Sequence, residues 1–584
     1  MLDLVLRNAN IIDGTGKPGF FGDVAIGDGR IKAVGQVDEP GRKELDLEGA
    51  SLAPGFIDIH THYDAQVFWD PMVTPSVNHG VTTVIAGNCG FTLAPLSGRA
   101  EDTDYLVRML SRVEGMPLAT LREAVQPDWT SFGDYLDRLD RKIAINATFL
   151  VGHSALRRTV MGDRAVGSEA TDAEIDAMCA LLDRSLSEGG AGFSTSISST
   201  HSDLEGEPVP SRWASRDELL RLAQVVSRHP GTWVEIAHGK TLMGDAEYDI
   251  LSALSLAAER PVNWNLVTVD SRSTQEQESQ LRAGDVAAAR GAAVIGLVPS
   301  VPPKIILNFV SGFVIDTIPG WSEVLVLPLE EKLAALADPA TRRRMAEGTR
   351  QISNPSLARR FEDWGEMIIE AVGSASRQAL VGTRLGDHAA STGKDPLEAL
   401  FDLAVAERLV ISFSPPINGS DEASWRQRGE IWRDERCLIG GSDAGAHLDM
   451  INTFAFSTQL LGEGVRRRAL LPLEEAVHRI TALPAEKFGL VGRGTIEPGM
   501  AADLVVFDPE TVDCGPVLMR DDLPGNETRL TADAIGVRHV FVNGTPVLVD
   551  GELSGEMGGQ ILRSGRDTRT VSIPAYNIDR GDAK

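Results

Sequence analysis

The fold is decided by the stretch Ala53-Pro54-Gly55-Phe56-Ile57-Asp58-Ile59-His60-Thr61-His62. A Pro-Gly pair followed by an apolar run is typical of a buried strand whose start is marked. Successive side chains of a strand point to opposite faces, so His60 and His62 share one face. Two imidazoles at the end of an apolar strand form half of a divalent-metal site. The alternative is a polar strand end with two structural histidines.

Two further apolar runs end in residues that can bind a metal. The run Val81-Thr82-Thr83-Val84-Ile85-Ala86-Gly87-Asn88-Cys89 places Cys89 at a strand end, and Leu438-Ile439-Gly440-Gly441-Ser442-Asp443 leaves one carboxylate at its tip. Alone, Cys89 is most simply a small buried hydrophobe and Asp443 a helix cap or turn residue. Facing two histidines, Cys89 is predicted to bind zinc, and Asp443 to bind metal and accept a proton from water.

The middle of the chain alternates apolar runs with helical patterns. Helical patterns cover residues 172–188, 215–227 and 472–481, and the apolar runs are 56–59, 81–86, 147–151, 191–195, 233–237, 261–267, 293–298, 409–413 and 437–441. This alternation predicts an α/β fold, a (β/α)8 TIM-like barrel whose site lies at the C-terminal strand ends. A doubly wound open sheet is the alternative, but no Gly-x-Gly-x-x-Gly follows a strand.

Both ends of the chain show short strand-like runs separated by Gly-rich turns, which is typical of antiparallel β structure. We therefore predict one small composite β-sandwich built from both termini; separate terminal domains are the alternative. The predicted boundaries are 1–52 and 485–584 for the two parts of the sandwich and 53–484 for the barrel. The alternation is interrupted between about residue 305 and residue 375. We predict a helical insertion there, which is either a lid or a solvated spacer.

Composition excludes several classes of function. The chain has 584 residues, 42% of them hydrophobic, and 56 Lys and Arg against 83 Asp and Glu give a net charge of −27. Such a surface repels nucleic acid and anionic membranes. Four cysteines do not make a disulfide framework in so long a chain, and neither a signal peptide nor a membrane span is recognised. We expect a cytoplasmic protein; whether it forms a homo-oligomer is left open.

The chain resembles the amidohydrolase superfamily, and within it the D-aminoacylase (N-acyl-D-amino-acid deacylase) branch. The resemblance spans nearly the whole chain and is carried by residues 54–64, 87–95, 151–157, 160–162, 440–443 and 494–505. It implies a (β/α)8 barrel with a composite β-sandwich, and zinc at the strand ends. Carried over by position, His60, His62 and Asp443 would hold one metal position, and Cys89 would be the cysteine ligand.

The sequence departs from the family pattern at the second metal position. The resemblance implies one histidine from the fifth strand and one from the sixth. Here the fifth-strand histidine, His238, stands later than expected, and the sixth-strand run 261–267 contains no histidine. We therefore predict one tightly bound Zn²⁺ and leave a second open. The related cyclic-imide hydrolases use a modified lysine on the fourth strand, and the run 191–196 has none.

These features predict a zinc-dependent hydrolase of a C–N amide bond, acting on N-acyl (D-)amino acids or related small amides, with Asp443 as general base. The rivals are a cyclic-amide hydrolase or deaminase on the same scaffold, and a non-catalytic assembly protein. Taken alone, each basic candidate for substrate binding is an ordinary surface charge. The candidates are His153, Arg157, His201, Arg212, Lys240 and His447.

Overall fold

The computed structural model describes residues 2–312, 314–353 and 355–573. Five strands form the N-terminal part: β1 Leu2–Ile11, β2 Phe20–Gly27, β3 Arg30–Gly35, β4 Gly41–Asp46 and β5 Ser51–Pro54. The middle contains β6 Phe56–Asp58, β7 Val81–Ala86, β8 Asn146–Phe149, β9 Val151–Gly152, β10 Gly192–Ser196, β11 Trp233–Ala237, β12 Val262–Asn265, β13 Val294–Val298, β14 Leu307–Asn308, β15 Ile368–Val372, β16 Ile411–Ser414 and β17 Cys437–Ile439. The C-terminal part contains β18 Leu504–Phe507, β19 Asp513–Cys514, β20 Leu518–Leu523, β21 Glu527–Thr531, β22 Ala534–Ile535, β23 Val537–Val542, β24 Thr545–Val549 and β25 Glu552–Leu553.

The α-helices lie almost entirely in the middle of the chain. Up to residue 300 they are α1 Ala100–Val113, α2 Leu118–Ala124, α3 Phe132–Leu139, α4 His153–Met161, α5 Asp172–Ser187, α6 Arg216–Val226, α7 Asp245–Ala258 and α8 Thr274–Ala289. They continue with α9 Ser322–Leu325, α10 Leu329–Ala337, α11 Pro339–Thr349, α12 Pro355–Arg360, α13 Leu385–Thr392, α14 Pro396–Ala406, α15 Glu422–Ile431, α16 Phe456–Gln459, α17 Leu473–Arg479 and α18 Ala482–Lys487.

Parallel strands form the centre of this mixed α/β fold. One sheet has the order β6-β7-β8 and a second the order β17-β13-β12-β11-β10-β9. Only Leu150 separates β8 from β9, and a parallel bridge joins Thr61, after β6, to Ala444, after β17. Both faces of these strands are covered, so nearly all of their residues are buried, including the polar ones of β8, β10 and β12.

The two ends of the chain share one nine-stranded sheet. Its order is β25-β24-β23-β18-β5-β1-β2-β3, with β4 paired to β1. The joint is the antiparallel pair β5–β18, in which Ala53 faces Val505. One apolar cluster contains side chains from both ends, including Leu6, Leu52, Leu504 and Phe541. The N-terminal strands therefore pack on C-terminal ones, in addition to a small apolar cluster of their own that contains Leu2, Val5, Ala25 and Val37.

The segment that interrupts the alternation has its own sheet and core. Strands β14, β16 and β15 pair antiparallel, and Phe309, Trp321 and Phe413 belong to a separate apolar cluster that spans residues 307–413 and adds Met450. The prediction that the run 409–413 is a strand of the parallel series is therefore wrong, since it forms β16. A short apolar run indicates a buried strand but does not determine its partner.

Across the described ranges, none of the helices combines the length and apolar character that crossing a bilayer requires.

Candidate metal centre and active site

Two neighbouring strand ends bring the histidine pair to the cysteine. His60 and His62 follow β6, and Cys89 follows β7 in a tight turn. The turn begins at Gly87 (φ +77°), where a Cβ would lie 2.5 Å from Leu150 O, so a side chain would clash. One nitrogen of each imidazole and the Cys89 Sγ all lie within 4.8 Å of one another, and Sγ is 3.5 Å from His60 Nε2. Within the described chain this is the group that could hold a metal ion.

Asp443 closes the group from the end of β17. Its Oδ1 lies 3.3 Å from His60 Nε2 and 3.7 Å from His62 Nε2. Its backbone N–H donates to His60 O at 3.2 Å, and the His62 N–H donates to Ala444 O at 2.8 Å, which fixes the two strand ends side by side. Burial alone would raise the pKa of Asp443, but the hydrogen bonds and charges of the two histidines outweigh it and hold that pKa well below its usual range.

The donor set fits zinc. Two imidazoles, a thiol and a carboxylate converge, and Zn²⁺ binds this combination of donors in proteins. Of the four side chains, all but that of Asp443 are nearly excluded from solvent. Burial, together with the charges of Glu235, Glu114 and Asp443, raises the pKa of Cys89 well above its usual value. A buried thiol surrounded by carboxylates lacks positive charge, and a divalent cation supplies it. Of the buried ring nitrogens, His60 Nδ1 has no hydrogen-bond partner among the described residues.

The fifth strand contributes Glu235 rather than His238. Glu235 Oε2 accepts a hydrogen bond from the Cys89 N–H at 2.7 Å, and Oε1 has no partner in the described chain. His238 lies outside the group: its Nδ1 accepts from the Lys240 N–H at 3.0 Å and its ring packs on Trp264. The prediction of His238 as a ligand is therefore corrected. Glu235 and His238 are three positions apart, and because the side chains of a strand alternate in direction, the two residues point to opposite faces. Burial raises the pKa of Glu235 to about 7.

The sixth strand reaches the group through Asn265, the last residue of β12. As the amide is placed, its Nδ2 lies 3.4 Å from His60 Nε2 and 3.7 Å from Cys89 Sγ, and Oδ1 has no partner in the described chain. Asn265 is thus the residue that the sixth strand, whose run 261–267 contains no histidine, brings to the group. An amide is a weaker zinc ligand than an imidazole.

A second ring of side chains surrounds His62. Glu114, which caps the C-terminal end of α1, places Oε1 3.2 Å from His62 Nδ1 and Oε2 3.9 Å from His447 Nε2. Burial lowers the pKa of His447 to about 4. Burial, aided by the charges of His447 and His62, lowers the pKa of His201 to about 3. Both of these predicted substrate-binding histidines are therefore neutral at pH 7 and lie beside the metal group.

The other predicted substrate-binding residues are placed differently. His153 and Arg157 are fully buried and both bind Glu218: His153 Nε2 at 2.8 Å and Arg157 Nη1 at 2.6 and 2.5 Å. Their prediction as substrate contacts is corrected, since this internal network leaves neither side chain accessible. Arg212 is partly exposed and donates to His201 O at 2.9 Å. Lys240 is exposed in the loop after β11.

Sequence reasoning missed Glu235, Glu114 and Asn265 as neighbours of the metal group. Glu235 carried a signal, because a carboxylate inside the apolar run Trp233–Ala237 needs a charged or polar partner once the strand is buried. Asn265 also carried a signal, because it is the last residue of β12, and Cys89 and Asp443 likewise stand at strand ends, after β7 and β17. Glu114 carried no local signal, because only the tertiary fold brings the end of α1 to His62.

Comparison with known proteins identifies the family of the chain. The family model described as "Amidohydrolase family" matches residues 43–548. The chain is 30% identical to N-acyl-D-aspartate deacylase of Alcaligenes xylosoxydans xylosoxydans over 96% of this chain and 95% of the relative, and 28% identical to D-aminoacylase of the same organism over 96% and 97%. A solved structure of N-acyl-D-glutamate deacylase from Bordetella bronchiseptica, complexed with zinc and a phosphonate mimic of the tetrahedral intermediate, superposes with a TM-score of 0.64 at 27% identity, covering 96% of this chain and all of that one.

Proposed function

The chain belongs to the amidohydrolase family, and on this premise we propose that it is a zinc-dependent hydrolase that removes the acyl group from N-acyl-D-amino acids. The observation that supports this most directly is the convergence of His60, His62 and Cys89 with Asp443 at the ends of three parallel strands. The relatives named for this activity align over at least 95% of each chain.

We propose that His60, His62, Cys89 and Asp443 hold one zinc ion. When bound, zinc lowers the pKa of water towards about 7 and polarises a carbonyl oxygen. Glu235 holds the Cys89 backbone through its N–H and so fixes the turn that presents the thiol. Glu114 contacts the far nitrogen of the His62 ring and sets its orientation.

Asp443 is proposed as the group that moves the proton. Its carboxylate is held as an anion by the two histidines and is the most exposed member of the metal group, with 21% of the side chain accessible. It accepts the proton of the attacking water and returns it to the leaving nitrogen of the amide. His201 and His447, both neutral, are proposed to donate or accept hydrogen bonds to the substrate, with Arg212 behind His201 and Lys240 at the rim.

We propose that the parallel strands form one (β/α)8 barrel. Taking β8 and β9 as one strand interrupted at Leu150, the parallel strands number eight: β6, β7, β8–β9, β10, β11, β12, β13 and β17. The Thr61–Ala444 bridge supports closure between the last and the first. In this division 53–484 is the barrel, and 2–52 with 485–573 form the sandwich; residue 1 and residues 574–584 of the predicted boundaries lie outside the described residues. The inserted segment, predicted at 305–375, is proposed to continue to Ser414, since its core extends that far.

The experiment is metal analysis of protein purified without chelators, followed by a substrate screen. The panel contains N-acetyl-D-amino acids, their L-enantiomers, and a hydantoin and a dihydropyrimidine as cyclic amides. We expect zinc in the protein and hydrolysis of D-substrates only. Turnover of the cyclic amides alone would overturn the deacylase proposal, and zinc-loaded protein inactive on the whole panel would favour the non-catalytic alternative.

A further inference from the structure

A cavity of 540 Å³ lies where distant parts of the chain meet. Its wall is built from the turn after α1 (residues 115–119), the inserted segment (310–311 and 325–328) and the start of β21 (527–528). The volume falls in the range typical of small-molecule sites, about 300–1,000 Å³. Among the described residues that form the wall, none belongs to the metal group, so the cavity is a separate feature of the molecule.

Most of the cavity wall is apolar. Met116 and Leu325 are nearly fully buried, whereas Val310 and Val326 remain exposed over 63% and 38% of their surface. A ligand with an apolar body would cover these two valines, and removing apolar surface from water is favourable. An apolar wall also strengthens any charge interaction that forms beside it, because it keeps water away.

Lys332 brings a buried positive charge to this wall. Only 4% of the residue is exposed, and its Nζ donates to Phe309 O and Val310 O, both at 3.0 Å. An ammonium group has three N–H donors, so one is left over. In the described part of the chain Lys332 forms no ion pair, although a buried lysine almost always has an anionic partner.

The charge of Lys332 is not compensated by its neighbours. Burial, together with the positive charge of Arg112, lowers the pKa of Lys332 to about 8, so the second cation is close by. Arg112 also lines the cavity, and its Nη2 pairs with Asp316. One carboxylate thus faces two cations, and a ligand that brings an anion would restore the balance.

Asp449 brings the opposite charge to the cavity. Its Oδ2 accepts a hydrogen bond from Asn308 Nδ2 at 2.8 Å, and no cation among the described residues pairs with it. Burial raises the pKa of Asp449 to about 6. Asp449 and Lys332 are both bound to the same short segment, 308–310, yet they do not pair with each other.

We propose that this cavity binds a zwitterionic α-amino acid with an apolar side chain, its carboxylate paired with Lys332 and its ammonium group with Asp449. Such a molecule carries both of the missing counter-charges and an apolar body. A simple carboxylate or a simple amine would leave one buried charge unpaired, which is unfavourable. Glu527, partly exposed in the same wall, further disfavours a simple anion. The proposal does not depend on the proposed function, although deacylation would release a molecule of this class.

The test is equilibrium dialysis of zinc-loaded protein against radiolabelled D-leucine and L-leucine. The comparison ligands are 4-methylpentanoate and 3-methylbutylamine, which keep the apolar body of leucine but carry only one of its charges. The variants are Lys332→Met and Asp449→Asn, each of which removes one charge and keeps a side chain of similar size. The matched control is Lys43→Met, because Lys43 is exposed on β4.

We expect a leucine site whose Kd rises about 10- to 100-fold in Lys332→Met and in Asp449→Asn, the loss typical of one charge-assisted pair. The Kd of Lys43→Met should equal that of the wild type. Both comparison ligands should bind about 10-fold or more weakly than leucine. If D-leucine also binds at the metal group as a reaction product, it gives a second site, which the two cavity variants should leave unchanged.

The same leucine binding in the wild type and in both cavity variants would overturn the proposal, as would the absence of leucine binding at millimolar concentration. Tighter binding of 4-methylpentanoate than of leucine would also overturn it, because the site would then take a simple carboxylate. Unfolding midpoints without ligand check the fold of the variants. Where Lys332→Met unfolds early, because Phe309 O and Val310 O lose their donor, Asp449→Asn decides, since its amide oxygen can still accept from Asn308.

Discussion

Glu114 Oε1 lies 3.2 Å from His62 Nδ1, while the other ring nitrogen of His62 lies 3.7 Å from Asp443 Oδ1. The imidazole of His62 thus lies between Glu114, which is outside the metal group, and Asp443, which belongs to it. Such an outer carboxylate fixes the orientation of a ligating histidine and increases its basicity. The end of α1, far from the strand ends in sequence, is therefore part of the proposed zinc site.

Glu114→Gln should weaken zinc binding. The substitution keeps the shape of the buried side chain but removes the negative charge beside His62, and loss of such a partner typically lowers metal affinity about 10- to 100-fold. Competition with a chromogenic chelator measures the zinc dissociation constant. The control is Glu123→Gln, on the exposed face of α2. Unchanged zinc affinity in Glu114→Gln would show that the contact does not orient His62.

One tightly bound zinc per chain is the expected stoichiometry. His60, His62, Cys89 and Asp443 supply the donors for one zinc ion, whereas Glu235 and Asn265 offer oxygen where two further imidazoles would be needed for a second equally tight site. Elemental analysis after dialysis against metal-free buffer gives the number. Two zinc ions that survive dialysis would show that Glu235 and Asn265 take part as ligands.

How much of this could be predicted from the sequence depends on how local the signal is. The side chains of His60, His62, Cys89 and Asp443 follow apolar runs, and parallel strand ends meet at one edge, so their proximity was predictable. Glu235 was missed in favour of His238 because the choice depends on where β11 ends and which face each residue takes. Glu114 could not be predicted as a neighbour, because no local pattern shows that the end of α1 packs beside His62.

The termini should be inseparable in folding. Deleting residues 1–50 removes β1–β4 and uncovers Leu52, Leu504 and Phe541, which now lie in the shared apolar cluster. We expect insoluble protein, because large exposed apolar patches promote aggregation. Expression and sedimentation of the truncated chain are the measurements. A soluble truncation with the wild-type unfolding midpoint would show that the N-terminal strands are not required for that core.

Acid should destabilise the fold through His79. This residue is fully buried, with Nε2 3.1 Å from Ala532 O, and burial lowers its pKa to about 4. The unfolded chain protonates this histidine near its ordinary pKa of 6.5. Between these values the unfolded state binds more protons, so stability falls as the pH falls, by about 3 kcal/mol in total.

The measurement is the difference in thermal unfolding midpoint between the wild type and His79→Gln from pH 7.5 to pH 4. The variant lacks this protonation, so the amount by which the wild-type unfolding midpoint exceeds that of the variant should decrease as the pH falls through that window. A difference for His79→Gln that does not vary with pH would exclude the effect.

The most decisive prediction separates proton transfer from metal binding at Asp443. Asp443→Asn keeps the shape and an oxygen ligand but removes the basic carboxylate, and loss of a general base typically lowers the rate about 10²- to 10⁴-fold. We expect zinc content to survive largely intact while kcat falls by that factor. His60→Ala, in contrast, should lose zinc and activity together, because its Nε2 lies at the centre of the group, 3.3 Å from Asp443 Oδ1 and 3.5 Å from Cys89 Sγ.

Zinc content and kcat are measured on the same preparations of both variants, with the best D-substrate of the screen. Near-normal turnover of Asp443→Asn would exclude Asp443 as the base. Loss of zinc from this variant would make Asp443 chiefly a ligand, and Glu235, the buried carboxylate that holds the Cys89 N–H, would then be the next candidate for the base.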